Sequence, residues 1–298
     1  MKSKLTALGL LLAGFAGGAL QVWTQQTAFD PATHLVLEGQ ASLTALRVFA
    51  CAVPLLAALA SLWLRAKKSP SSKSLCAGAG WGCRLLGPAA GLLLISGGLM
   101  KLVADFPVPP PRMDWLSLGM CGVDLLLALG GGCMIWQALG AAFRPGWTGR
   151  HSLSCLIPGF SVCFWLILFY HNHSRDPVVS HYCWILLALM AAILALYHQA
   201  AYSFGRAHPV QAQICTLTAG VYAFTALPSA GEAGDRPLLL GLGLWMLLNS
   251  LLIAGGKEGG PWKRRTSSSR RPGAEEAPEG SPPPPEHRQA AARPGENP

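Results

Sequence analysis

Charge is scarce in this chain. Of 298 residues only 12% are Asp, Glu, Lys or Arg, whereas 51% are hydrophobic and the mean hydropathy is +0.37. Soluble domains carry about 25% charged residues. The length would fit about two soluble domains, but the composition excludes them in favour of a lipid-solvated protein. A disulfide framework is missing too. The nine cysteines are odd in number and most sit inside apolar runs, where they read as small packing residues. No Cys-x-x-Cys pair occurs, and the spacing of Cys76 and Cys83 fits no common zinc pattern.

Catalytic motifs are also wanting. "AYSFG" around Ser203 lacks the first glycine of Gly-x-Ser-x-Gly and follows a helical run rather than a strand. "GAGWG", Gly78 to Gly82, is not a Gly-x-Gly-x-x-Gly phosphate loop. No paired acid, base or nucleophile emerges, so the expectation is a protein that is not an enzyme and needs no cofactor. No internal repeat is visible.

What the chain has in abundance is long apolar runs. A span needs about 20 mainly apolar residues. Eight runs qualify, near Leu5–Trp23, Leu43–Leu64, Leu85–Ala104, Trp115–Phe143, Leu153–Tyr170, Tyr182–Ala201, Ile214–Leu227 and Leu238–Ala254. Lipid leaves backbone groups unsatisfied unless the segment is a helix or a closed barrel. The runs lack the period-2 alternation of a barrel, so they are helices. The expected fold is an all-α, polytopic integral membrane protein of about eight transmembrane helices. The expected domains are a helical bundle over residues 1–254 and a disordered basic, proline-rich tail over 255–298. "MKSK" and the apolar run after it resemble a signal peptide, with a small-x-small site at Gly17-Gly18-Ala19. The apolar stretch continues through Val22 and Trp23, which favours a span.

Orientation follows from the basic residues in the connections. With the N-terminus inside, one side holds Lys2, Lys4, Arg65, Lys67, Lys68, Lys73, Arg84, Arg144, Arg150 and Arg206, and the other only Arg112, Arg175 and Arg236. Both termini are therefore read as cytoplasmic. The net charge of +9 is a consequence of topology, and nucleic acid is not an expected partner. The lipid bilayer is. The tail segment "KRRTSSSRR" could contact anionic headgroups at about 1 kcal/mol per base, although an ordinary positive-inside anchor is the preferred reading.

Three charged residues fall within spans. Asp124 lies nine residues past Trp115, about 13 Å along a helix, close to the midplane of a core about 30 Å thick. An ionised carboxylate there costs about 2.5–3.5 kcal/mol or more, so it must be paired, face water or be neutral. Arg47, roughly 6 Å inside the second span, is the expected partner. Lys101 lies near the end of the third span, beside Asp105, and is expected to snorkel outward. Asp124, Arg47 and Lys101 thus form the candidate intramembrane polar site. The structural reading of that site, an ion pair or a hydrogen-bonded carboxyl held neutral, is preferred to a relay.

Glycines surround Asp124: Gly119, Gly122 and Gly130–Gly132. Together with "GPAAG", Gly87 to Gly91, they suggest close helix packing; Gly130–Gly132 breaking the helix is the alternative. His171, His173, Asp176 and His181 share one connection and could hold a metal, but their spacing fits no strong motif. His198 is expected to be a hydrogen-bonded core group.

Two segments carry a likeness. "AFDPATHLVLEG" and "SRDPVVSHYCWILLALMAAILALYHQAAYSFGRAHPVQAQICTLTAGVYAF" resemble a set of multi-pass membrane proteins from clostridial and related Firmicutes genomes. The likeness covers the membrane region and not the tail. It implies a bacterial cytoplasmic membrane and nothing about activity, so no functional residue is carried over. The leading functional expectation is a non-enzymatic accessory, sensor or assembly component. The alternative is a small-solute or ion transporter with a midplane site near Asp124 and Arg47.

Overall fold

In the computed structural model the described residues are 2–29, 37, 39–64, 81–106, 115–143, 152–174, 179–203 and 208–255. The basic tail, Cys76 and Asp176 lie outside them. The helices are α1 (Lys2–Thr27), α2 (Ala41–Leu64), α3 (Trp81–Asp105), α4 (Trp115–Phe143), α5 (Ser152–His173), α6 (Val179–Ser203), α7 (Pro209–Ala226) and α8 (Asp235–Gly255). A 3-10 turn, Leu227–Ser229, follows α7. Among the described residues, eight helices are long and apolar enough to cross a membrane, and there is no strand. This is an all-α, polytopic membrane protein.

The helices form a closed circuit. α3 packs against α4 and α8, α4 against α5, α5 against α6, α6 against α7, and α7 against α8. α6 also touches α8 across the middle. α1 and α2 lie against α7, and α1 against α8 as well. The two helices with most neighbours are therefore the most buried: α7 and α8 bury 67% and 61% of their spans, against 17% for α2. The remaining surface is lipid-facing. On α2 it is a helical stripe of Val48, Leu55, Leu59 and Leu62, all exposed, which is stable only in hydrocarbon.

Small residues set the closest approaches. A Cβ on Gly91 of α3 would lie 2.6 Å from the Gly131 carbonyl of α4, and one on Gly131 would lie 2.6 Å from the Gly91 carbonyl. Gly98 is held similarly, 2.8 Å from the Asp124 carbonyl. The other flank of α3 meets α8, where Gly241 would meet the Ala90 carbonyl at 2.8 Å. α4 runs unbroken through Gly130–Gly132, so these glycines serve packing. Gly130 faces Pro158 and Ser161 of α5, whereas Gly119, Gly122 and Gly132 have open space.

Two internal prolines explain two of the inter-helix hydrogen bonds. Proline has no N–H, so the carbonyl four residues earlier loses its helical donor. For Pro54 in α2 that carbonyl belongs to Ala50, and the Tyr222 hydroxyl of α7 donates to it at 2.6 Å. For Pro158 in α5 it belongs to Ser154, and the Gln137 amide of α4 donates to it at 2.7 Å. Neighbouring helices thus satisfy what proline leaves open. Tyr222→Phe should cost about 0.6–2 kcal/mol in detergent unfolding. In a Pro54→Ala background the cost should fall, because the backbone N–H restored by the substitution takes over the carbonyl. Equal costs in both backgrounds would refute this account.

Candidate functional site

Polar side chains enter the bundle at two levels. Nearer the C-terminal ends of α4 and α6 lies an amide network. Gln199 of α6 accepts from Trp245 Nε1 at 2.9 Å and from Asn249 Nδ2 at 3.0 Å, both on α8. Its own Nε2 donates to Gln137 Oε1 at 3.1 Å, and Gln137 passes the chain to Ser154. Four helices are tied by one run of bonds. Gln213 of α7 donates to Ser250 of α8 at 2.9 Å. Such bonds act as interhelical glue, worth roughly 0.6–2 kcal/mol each.

The charged level is at the opposite end, read as outer from the distribution of basic residues. Lys101 Nζ donates to Asp235 Oδ1 and to Glu232 Oε2, each at 2.7 Å. Asp235 is fully buried and Lys101 is 8% exposed, whereas the Glu232 side chain is 45% exposed. His173 Nε2 is 3.4 Å from Glu232 Oε1, and its Nδ1 is 2.9 Å from the Phe169 carbonyl. The imidazole stacks on Phe169 and tilts against Tyr182, with ring centroids 4.3 and 4.1 Å away. Asp124, 4% exposed, interacts electrostatically with Lys101 and Asp105 of α3 and with Glu232. One oxygen each of Asp124 and Asp235 is buried without a hydrogen-bond partner.

The local fold explains how the acids reach Lys101. Gly234, at φ +91°, occupies the left-handed region that favours glycine. A Cβ there would strike the Gly97 carbonyl and approach Lys101. The turn before α8 can therefore lie directly on α3. Asp235 then starts α8, where the helix dipole favours a carboxylate.

This arrangement corrects the expected site. Arg47 is exposed, on a helix that packs against α1 and α7 rather than α4, so it is not the partner of Asp124. Lys101 does not snorkel outward. It turns into the bundle, because two carboxylates from the start of α8 compensate its burial. Of the three candidates, Asp124 and Lys101 come together and Arg47 does not.

Asp235, Glu232, Gln137, Gln199 and Asn249 were missed by sequence reasoning. A signal existed for the acids: "GEAGDR" is a connection at the same end as Lys101. For the amides the signal was simply their rarity within apolar runs. His198, singled out instead, is half-buried edge-on to Tyr197, and it is the adjacent Gln199 that carries the network. Among the described residues, no group of three or more His, Cys, Asp or Glu side chains is arranged to hold a metal. His173 is committed to Phe169, Tyr182 and Glu232; Asp176 and the His181 side chain lie outside what is described.

Comparison with known protein families, curated proteins and solved structures finds no match. The chemistry of this protein has to be argued from its own geometry.

Proposed function

We propose that this is a non-enzymatic integral membrane protein that senses or carries a small cation, which it meets at its outer end. One observation carries the reading. The buried Lys101 is bonded by Glu232 and Asp235, His173 lies 3.4 Å from Glu232, and the buried Asp124 interacts electrostatically with the same lysine and with Asp105. An ionisable group within a membrane is costly and usually marks a pathway or a site. An excess of carboxyls over bases favours positive charge. The resemblance of two segments to clostridial membrane proteins supports the bacterial cytoplasmic membrane as the location. The non-enzymatic part rests on the sequence, where no nucleophile and base pair up.

The second reading is an accessory or assembly component, in which Lys101 and Asp235 merely clamp α3 to α8. Its supporting observation is that the Lys101–Asp235 pair is buried and that Glu232 holds the same ammonium. Reconstitution separates the two. Vesicles containing the protein and a trapped pH- or Na+-sensitive dye should pass protons or Na+ faster than empty vesicles under an imposed gradient. Rates equal to those of empty vesicles for both ions would remove carriage and favour the clamp.

A further inference from the structure

The connection between α7 and α8, residues 227–234, crosses the outer end of the bundle and is fastened to α1, α3 and α5. Ser229 Oγ accepts from Gln21 Nε2 at 2.7 Å and from Gln25 Nε2 at 3.3 Å, both on α1. Glu232 takes the Lys101 ammonium of α3 with one carboxylate oxygen, at 2.7 Å. Its other oxygen stands 3.4 Å from His173 Nε2 of α5. The 3-10 turn Leu227–Ser229 packs on α6 as well. Ser229 and Ala230 are buried, whereas Gly231, Glu232 and Ala233 form an exposed crest.

The connection is held unevenly. Its root is firm: Gly234 lies directly on the Gly97 carbonyl of α3, and Asp235 holds Lys101 from a fully buried position. Its crest is held through Glu232, whose side chain faces solvent, and exposed ion pairs shift an equilibrium by at most about fivefold each. The amide bonds to Ser229 are of ordinary interhelical strength. Lifting the crest therefore breaks weak contacts and leaves the Lys101–Asp235 bond in place. It also uncovers that bond, because Glu232 is the solvent-facing partner of an otherwise buried ammonium. We propose that residues 227–233 form a lid over the outer end of the bundle, rooted at Gly234 and latched by Glu232 against Lys101 and His173. The purpose of the lid rests on the cation reading above, since lifting it opens the Lys101–Asp235 pair to the outer solution.

The test is the reactivity of a reporter thiol, Ala230→Cys, in the full-length protein in nanodiscs, with a membrane-impermeant thiol reagent and mass as the readout. The protein without the reporter gives the background from its own cysteines. Ala230 is 2% exposed, so the latched protein should react slowly. Glu232→Ala should speed the reaction by about fivefold, the upper worth of one exposed ion pair. His173→Phe, which keeps the ring stacking on Phe169 and Tyr182, should speed it by less. Ser42→Cys, a buried reporter at the same end on α2, should respond to neither. Equal rates at Ala230→Cys with and without Glu232 overturn the latch, and a matching rise at Ser42→Cys overturns it in favour of general loosening. If Ala230→Cys does not fold, hydrogen exchange over residues 227–233 in the parent and in Glu232→Ala makes the same comparison, and equal exchange overturns the proposal. A responsive reporter in a protein that passes no ions leaves the lid standing and removes carriage. An unresponsive reporter in a protein that does pass them removes the lid alone.

Discussion

Lys101→Met should lower the stability of the folded protein by about 3–5 kcal/mol, the usual cost of removing one partner from a buried ion pair. The methionine fills nearly the same volume, so packing is little changed. What changes is Asp235, which is fully buried and would lose the counter-charge and hydrogen bond that compensate its burial. Glu232 contributes far less, because its side chain is 45% exposed and exposed pairs are worth about 0–1 kcal/mol. Three measurements separate these effects in a detergent unfolding assay. Lys101→Met should be severe and Glu232→Gln mild. Lys101→Met combined with Asp235→Leu should recover most of the loss, since replacing a whole buried pair by apolar residues is often neutral or better. No recovery in the double variant would mean that Lys101 stabilises through its aliphatic stem and not through Asp235.

Gly131→Ala and Gly132→Ala, adjacent on one helix, should have opposite effects. The first places a Cβ 2.6 Å from the Gly91 carbonyl and 2.9 Å from the Ile95 nitrogen. Both are backbone atoms, so α4 must move off α3 as a unit. Overpacking of this kind costs about 1–3 kcal/mol, and Gly131→Leu should exceed that range. Gly132 has nothing within 4 Å. Alanine there gains roughly 0.5–1 kcal/mol of helix preference over glycine. Unfolding midpoints that fall for one and rise for the other would support the contact. Equal effects would refute it. Because Gly98 sits against the Asp124 backbone on the same interface, the Gly131 variants should also disturb the carboxyl cluster, and any cation dependence should weaken with them.

α1 is tied into the bundle by small residues and one polar contact. Gly14 meets Phe224, and Gly17 meets Phe49 and Thr225. Gln21 Nε2 donates to Ser229 Oγ at 2.7 Å.

Sequence by itself determined the membrane character, the number of spans and the helical class. Those follow from local quantities: the length of each apolar run and the demand that lipid places on backbone hydrogen bonds. It also picked out Asp124 and Lys101, because a charge in an apolar run stands out without knowledge of neighbours. The partners were beyond it. Lys101 and Asp235 are 134 positions apart, and nothing along the chain says that α3 lies between α4 and α8. Pairing depth along isolated helices favoured Arg47, which turned out to lie on the wrong face of a helix with other neighbours. The prolines had the same ambiguity: Pro54 and Pro158 announce orphan carbonyls, but only packing supplies Tyr222 and Gln137. Helix rotation and neighbour choice are set by side-chain interlocking over the whole bundle, here by Gly91, Gly98, Gly131 and Gly234. That is a property of surfaces in contact, which no single stretch of sequence contains.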